Sequence, residues 1–324
     1  MNDVVELNLA EFNVNYKMYL PNSQTNLIER IITHTKKPYE YEMLKSMARQ
    51  LERIDPSKST AVLDVGMNLG NHALFFAALG YRVIGIEANP KMSEIAKKSI
   101  QINGFDNLIQ VIECGVSDKN EICHFDCEIP ENFGGMSMAK SHEENATGGG
   151  GGANLSNSLS VQCRLIDDLN INEKISLIKM DIEGMEPAAL RGAKKLITKN
   201  TPLIYLESQK IQALNENADI LEALNYTHFA MWDMGAPTHL FMPLSAIDEN
   251  LWRQKIARDM AILRLNHSST PQGVYLENLL TSFYNEQHAL KDQLLYAFIQ
   301  LIGGQFNGQN IQGKINEILE ILKK

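Results

Sequence analysis

The sequence is short of several things, and each shortage removes a class of function. No apolar run approaches the ~20 residues that span a bilayer, so no membrane span is expected. Positive charge is in deficit: 30 Lys and Arg stand against 39 Asp and Glu, for a formal net charge of −9. That balance argues against a nucleic-acid binder whose affinity comes from a broad basic surface. The four cysteines, Cys114, Cys123, Cys127 and Cys163, form no C-x-x-C pair. Cys123, His124 and Cys127 are close in sequence, but they read as part of a β-rich segment with buried thiols rather than as metal ligands. Reduced thiols fit a cytosolic compartment. The opening MNDVVELNLAEF carries acids where a secretory signal carries positive charge, and the expectation is a soluble, cytoplasmic protein.

One further absence concerns the stretch VLDVGMNLGNHALFF, residues 62–76. A dinucleotide fingerprint reads G-x-G-x-x-G, its second glycine letting backbone approach a pyrophosphate. Here the spacing is Gly66-x-x-x-Gly70, with Asn68 where the second glycine would fall and Asn71 where a third might stand. No Lys-Ser/Thr follows, so it is not a P-loop. A glycine-bearing turn between a buried strand and a helix suits a nucleoside-like ligand without phosphates.

What is present is rhythm. AVLDVG, YRVIGIEA, LIQVIECGVS, SLIKMDIEG and PLIYLES read as short buried strands, and helical stretches alternate with them. The pattern predicts an α/β fold with a doubly wound, mostly parallel sheet, whose ligands bind at the carboxyl ends of the strands. Residues 1–59 read as an N-terminal helical cap segment with two helical stretches broken at Pro38. Residues 60–244 form the cofactor-binding domain, interrupted by a flexible Gly-rich loop over 131–160 that includes five consecutive glycines. Such a loop can act as a lid beside the cofactor. HFAMWDM is a further strand, and residues 245–324 read as a C-terminal helical extension that can cover the core or pair subunits.

Acids stand at three strand tips. Asp64 precedes the glycine turn. Glu87, with Ala88 beside it, ends the second strand 23 positions later and can accept hydrogen bonds from both hydroxyls of a ribose. Ser117 and Asp118 follow the third strand. This arrangement resembles the S-adenosylmethionine site of Rossmann-like methyltransferases, and an acidic cleft suits the cofactor's sulfonium and ammonium. On that reading Asp64, Gly66, Asn68, Gly70, Asn71, Glu87, Ala88, Ser117, Asp118 and Asp181 bind the cofactor.

A more specific resemblance lies in LIKMDIEGMEPAALRGAKKLI, residues 177–197, which is similar to the D-x-E-G-x-E segment of the FkbM-type methyltransferases. VLDVGMNLGNHALFFAALGYRVIGIEANP resembles that family's first motif and second strand, RLIDDLN its lead-in to the fourth strand, and NFGGMSM its glycine–serine segment. Met67 stands where the family more often has alanine. The resemblance implies a class I fold of seven strands with the last antiparallel, and O-methylation, often of sugars or polyketide-like products.

Methyl transfer to an alcohol needs the acceptor aligned and deprotonated. Asp181 and Glu183 are two apart, so on an extended segment they point the same way. With Glu207 at the next strand tip they can share a divalent cation such as Mg²⁺, or raise one another's pKa so that one serves as base. His228 and His239 are further candidates for a base. His72 reads as an ordinary first-turn residue, Glu186 as an acid opening a helix, and Phe229 and Trp232 as core. Tyr39 to Glu42 belong to a segment that can close over the cofactor. The expectation is an S-adenosylmethionine-dependent O-methyltransferase acting on a glycan or small-molecule hydroxyl, with no nucleic-acid partner and with homo-oligomers formed through the C-terminal helices. The rival readings are an NAD-dependent oxidoreductase, disfavoured by the missing glycine, and a non-catalytic scaffold.

Overall fold

The computed structural model describes residues 3–126, 158–233, 236–248 and 251. The chain divides into two compact units, Met1–Pro243 and Leu244–Lys324, and the elements below belong to the first. Residues 127–157, which hold Cys127 and most of the expected glycine-rich lid, lie outside the described residues, as does nearly all of the expected C-terminal helical extension.

The chain opens with an antiparallel hairpin, β1 (Val4–Leu9) and β2 (Val14–Tyr19), which the sequence analysis did not anticipate in its helical cap. Val5, Leu7 and Leu9 are buried in alternation along β1, as are Tyr16 and Met18 along β2. Two helices follow, α1 (Leu27–Thr35) and α2 (Tyr41–Ile54). Asn26 caps α1 by accepting the Glu29 amide at 3.0 Å. On α2, Met43, Leu44, Met47 and Leu51 are buried at helical spacing, as the periodicity requires.

The alternating part comprises β3 (Ala61–Val65), α3 (Asn71–Ala78), β4 (Arg82–Glu87), α4 (Pro90–Asn103) and β5 (Ile109–Glu113). LIQVIECGVS is not one strand: after β5 the chain breaks and Gly115–Val116 becomes β6, which joins a separate three-stranded sheet with β7 (Glu121–Asp126) and β8 (Ser158–Arg164). The expected loop therefore ends in a strand from Ser158. Then come β9 (Ile175–Met180), α5 (Glu186–Arg191), α6 (Lys194–Asn200), β10 (Leu203–Glu207), α7 (Ile211–Glu222), β11 (Tyr226–Asp233) and β12 (Pro237–Pro243). The segment PAALRGAKKLITK forms two helices, split at Gly192, which packs against the Ser117 carbonyl where a Cβ would not fit.

The main sheet has seven strands in the order β11-β12-β10-β9-β3-β4-β5. β12 runs antiparallel to both neighbours, and every other pairing is parallel. β3 and β9 are buried throughout, as expected for strands covered on both faces. Leu63, Val65, Ile178, Met180, Ile204, Leu206 and Phe241 form one core with Leu190, Ile197 and Leu221 of α5 to α7. Helices α2, α3 and α4 contact the sheet as well, and β2 docks on α4 through Lys17 N to Asn103 Oδ1 at 2.8 Å and Tyr19 N to Ser99 Oγ at 2.9 Å. The described cysteines Cys114, Cys123 and Cys163 are free and buried, and burial pushes all three thiols up.

Gly66 closes β3 against β9. Its φ is +79°, and a Cβ there would fall on the Asp181 carbonyl oxygen. Met67, the bulkier residue at the turn, lies over Gly85 of β4 and is buried, so it fills space that a side chain on Gly85 would take. Gly66→Ala should cost about 3 kcal/mol or more, because it combines left-handed strain with a backbone clash. Chemical denaturation checks this, with Gly104→Ala as reference: Gly104 shares the positive φ (+66°), but its Cβ would meet nothing.

Candidate active site

The carboxyl ends of β3, β4, β9 and β10 open onto a cavity of about 480 Å³. That lies within the ~300–1,000 Å³ of small-molecule sites. Val65, Gly66 and Asn68 line it from the first turn. Ile86, Glu87, Ala88 and Asn89 line it from the second strand tip, and Cys114, Gly115 and Val116 from the β5–β6 break. Asp181, Ile182, Glu183 and Met185 contribute the fourth tip, and Glu207 and Gln209 the fifth. The N-terminal segment supplies a further wall with Leu27, Ile28, Ile31, Tyr39 and Glu40, and Ala236, just before β12, adds one more contact.

Glu87 is held firmly. Its Oε2 accepts the Asn68 amide at 2.6 Å and its Oε1 the Asn89 amide at 2.7 Å. Burial pushes its carboxyl above the usual range, against the pull of those two amides. Each oxygen keeps a further lone pair, so the group remains an acceptor for a ligand.

Three carboxylates meet at the neighbouring tips. Asp181, Glu183 and Glu207 each place an oxygen within 4.8 Å of the others. Burial and the nearby Asp181 push Glu207 up to about 8, while Gln209 Nε2 donates to its Oε1 at 2.7 Å. Burial alone would raise Asp181 too, but the Lys179 ammonium, 3.0 Å from Oδ2, holds it below its ordinary value. Burial and Asp181 raise Glu183, whose backbone is left-handed at φ +55°. Crowding and burial thus raise Glu183 and Glu207 while Lys179 holds Asp181 down.

Lys179 is the residue that sequence reasoning missed. A lysine in a strand pattern reads as solvent-facing, yet this one is 4% exposed. Parallel register sets it opposite Asp64 of β3 on one side and Tyr205 of β10 on the other. Burial disfavours its charge, but Asp181, Asp64 and Glu40 outweigh that and raise its pKa. Asp64 is fully buried, and its carboxyl is pushed up by burial, with Lys179 and His72 opposing.

Several expected cofactor ligands stand elsewhere. Asp64 does not line the cavity; strand alternation turns it to the face where Lys179 lies. Asn71 is engaged by the N-terminal segment: its Oδ1 accepts the Tyr39 amide at 2.9 Å and its Nδ2 donates to the Tyr39 carbonyl at 3.0 Å. Its neighbour His72 is buried, with Nε2 3.2 Å from Glu40 Oε2. Gly70, with φ +87°, caps α3 and packs near Ala96. Ser117 Oγ donates to Glu121 at 2.9 Å, and exposed Asp118 accepts from Arg191 at 2.9 Å, so both turn toward the surrounding scaffold. Gly66, Asn68, Glu87, Ala88 and Asp181 do line the cavity. His228 does not. Its Nε2 lies 3.1 Å from His239 Nδ1 in the β11–β12 ladder, and its ring packs edge-on against Phe241. Phe229 is buried, Trp232 stacks near Tyr205, and Glu186 opens α5 while accepting the Ile182 amide at 2.9 Å.

This strand order, with one antiparallel strand inserted next to an edge, is that of the class I S-adenosylmethionine-dependent methyltransferase fold. The model of the methyltransferase FkbM domain matches residues 64–235, more than half of the 324 residues, and the chain belongs to that family. Among solved structures it is similar to methyltransferase FkbM from Methylobacillus flagellatus KT, with 20% identity, 57% of this chain and 44% of that chain covered, and a TM-score of 0.42. It is also similar to a SAM-dependent O-methyltransferase from Thermotoga maritima, with 10% identity, 72% and 76% covered, and a TM-score of 0.39. A curated relative, the 23S rRNA (uracil(1939)-C(5))-methyltransferase RlmD of Marinomonas sp., is 36% identical over 64 residues, 20% of this chain. The match spans only 14% of that relative's length.

Removing the buried cation should be costly. Lys179→Met leaves Asp64 and Asp181 without their shared counter-charge and should destabilise the fold by about 3–5 kcal/mol. Adding Asp64→Asn should recover part of that loss in urea denaturation.

Proposed function

We propose that this chain is an S-adenosylmethionine-dependent O-methyltransferase that acts on a hydroxyl of a sugar or small-molecule acceptor. The observation that carries the proposal is one cavity lined by Ile86, Glu87, Ala88, Cys114 and Val116 and by the carboxylate cluster Asp181, Glu183 and Glu207. Glu87 suits the two ribose hydroxyls. Ile86, Ala88, Cys114 and Val116 suit the flat base, since an apolar slot holds an aromatic ring without unpaired polar groups. The acids of the cavity favour a ligand carrying a sulfonium and an ammonium.

Held by Glu87 and the slot beside it, the cofactor would supply an electrophilic methyl group, with its thioether as the leaving group. The chain's part is to orient the acceptor and take its proton. Glu207, in its ionised form, accepts the hydroxyl proton, and Gln209 holds the carboxylate in place. Tyr39 keeps its phenolic proton, because burial and the acids Glu40, Asp181 and Glu207 raise its pKa. It can therefore donate a hydrogen bond to the acceptor oxygen. Asp181, pinned by Lys179, stays ionised and sets the proton affinity of Glu207. The Asp181–Glu183–Glu207 group also has the donor set for Mg²⁺, and activity with and without chelator tests that addition.

Titration calorimetry with S-adenosylmethionine, S-adenosylhomocysteine and NAD⁺ tests the cofactor assignment. The first two should bind and NAD⁺ should not; NAD⁺ binding alone would favour an oxidoreductase, and no binding a scaffold. Glu87→Ala should weaken cofactor binding about 10- to 100-fold, the worth of charge-assisted hydrogen bonds. For the base, turnover should rise with pH and level off above about 8, because Glu207 must lose its proton before it can accept another. Glu207→Gln should lower kcat about 10²- to 10⁴-fold and abolish that rise, with cofactor affinity little changed.

A further inference from the structure

The cavity wall built by α1 and the Tyr39–Glu40 turn lies outside residues 64–235, the part matched to the family. It is nonetheless built as part of the site. Glu29 is fully buried and accepts the Asn22 amide at 2.6 Å and the Asn22 side chain at 3.1 Å, which fixes the start of α1. Ile32 is buried on the body side. At the far end, the reciprocal bonds between Asn71 and Tyr39 fasten the turn to the first turn of α3. Anchored at both ends, α1 presents Leu27, Ile28 and Ile31 to the cavity, and Leu27 is left 51% exposed. Glu29 and Ile32 bury the body side of α1, while Leu27, Ile28 and Ile31 stay only partly covered at the cavity.

The charge of the cavity is one-sided. Among the described residues five carboxylates line it, Glu40, Glu87, Asp181, Glu183 and Glu207, and no Lys, Arg or His does. Lys179 and His72 stand behind the wall. A phosphate or carboxylate on the acceptor would meet like charge with no cation to pair it.

We infer that the α1–Tyr39 wall reads the acceptor, and that the acceptor is an uncharged molecule with an apolar face next to its reacting hydroxyl. Its apolar face packs on Leu27, Ile28 and Ile31, and its hydroxyl meets Tyr39 and Glu207. Phosphorylated acceptors, RNA and nucleotide-linked sugars among them, are excluded from the cavity. The inference rests on the cofactor assignment above, which leaves this half of the cavity for the acceptor.

The test uses the full chain and two fluorescent probes of similar shape: neutral N-phenyl-1-naphthylamine and its sulfonated counterpart 1-anilinonaphthalene-8-sulfonate. Each is titrated with and without saturating S-adenosylhomocysteine. With the cofactor half filled, the neutral probe should bind at least about tenfold more tightly than the sulfonate. Ile31→Asp should weaken it about tenfold, and Leu27→Ser, at a position too exposed to disturb folding, severalfold. Affinity for S-adenosylhomocysteine should stay the same in both variants. Equal binding of the two probes, or a neutral-probe affinity that neither variant changes, overturns the inference. Failure of S-adenosylhomocysteine to bind overturns the cofactor assignment alone. The effects of the Leu27 and Ile31 variants on the probe in the free protein still decide whether the wall binds apolar ligands.

Discussion

One ammonium group under the cavity floor holds the site's charge in balance. Lys179 is buried in the middle of the sheet, set by parallel register between Asp64 and Tyr205, with Asp181 3.0 Å away. A lone buried charge at this depth would be strongly disfavoured. It persists because acids converge on it from β3, from β9 and from the N-terminal turn. The count is uneven, however: Asp64, Asp181, Glu40, Glu183 and Glu207 share one lysine and a histidine. Asp181 takes the lysine. Asp64, Glu183 and Glu207 are all raised, and burial with Asp181 beside it pushes Glu207 up to about 8. Burial raises Glu207 first, and the ionised Asp181, itself fixed by Lys179 on one face of β9, adds to that at the tip of β10.

The same constraint explains why the N-terminal segment belongs to the site. Glu40 is one of the acids that balance Lys179, and its backbone turn is fastened by Asn71 and approached by His72. Two residues of the first helical turn, at the place where a nucleotide-binding fold usually offers ligands, hold protein instead. The α1 wall follows from that attachment. In this chain Gly66 and Asn68 after β3 line the cavity, and Asn71 and His72 just beyond them fasten the N-terminal wall.

Much of this was legible in the residues, and the exceptions are instructive. β4 and β10 are apolar runs ending in Glu87 and Glu207, and β9 runs directly into Asp181, so the sheet and those three cavity-lining tips follow from pattern. The hairpin β1–β2 was signalled by alternation of Val5, Leu7 and Leu9 but was overlooked beside the stronger helical periods after it. The break between β5 and β6 is invisible to periodicity, because Cys114-Gly115-Val116 is as apolar as the strand before it. It moved the third lining segment three residues upstream of Ser117 and Asp118. Lys179 and the inward face of Asp64 depend on strand register, a pairing between residues more than a hundred positions apart. No local rule supplies that pairing. His228 stands near the right strand but on a ladder that turns it toward His239.

The account stands or falls on the proton at Glu207. Difference infrared spectroscopy of wild type against Glu207→Gln, titrated from acid to alkaline pH, reads that proton through the carboxylic-acid C=O band. The account predicts a band that persists through neutral pH and disappears near 8. A band lost in the ordinary carboxylate range would mean that the cluster does not concentrate its charge at this position, and the proposed base would have no driving force to act.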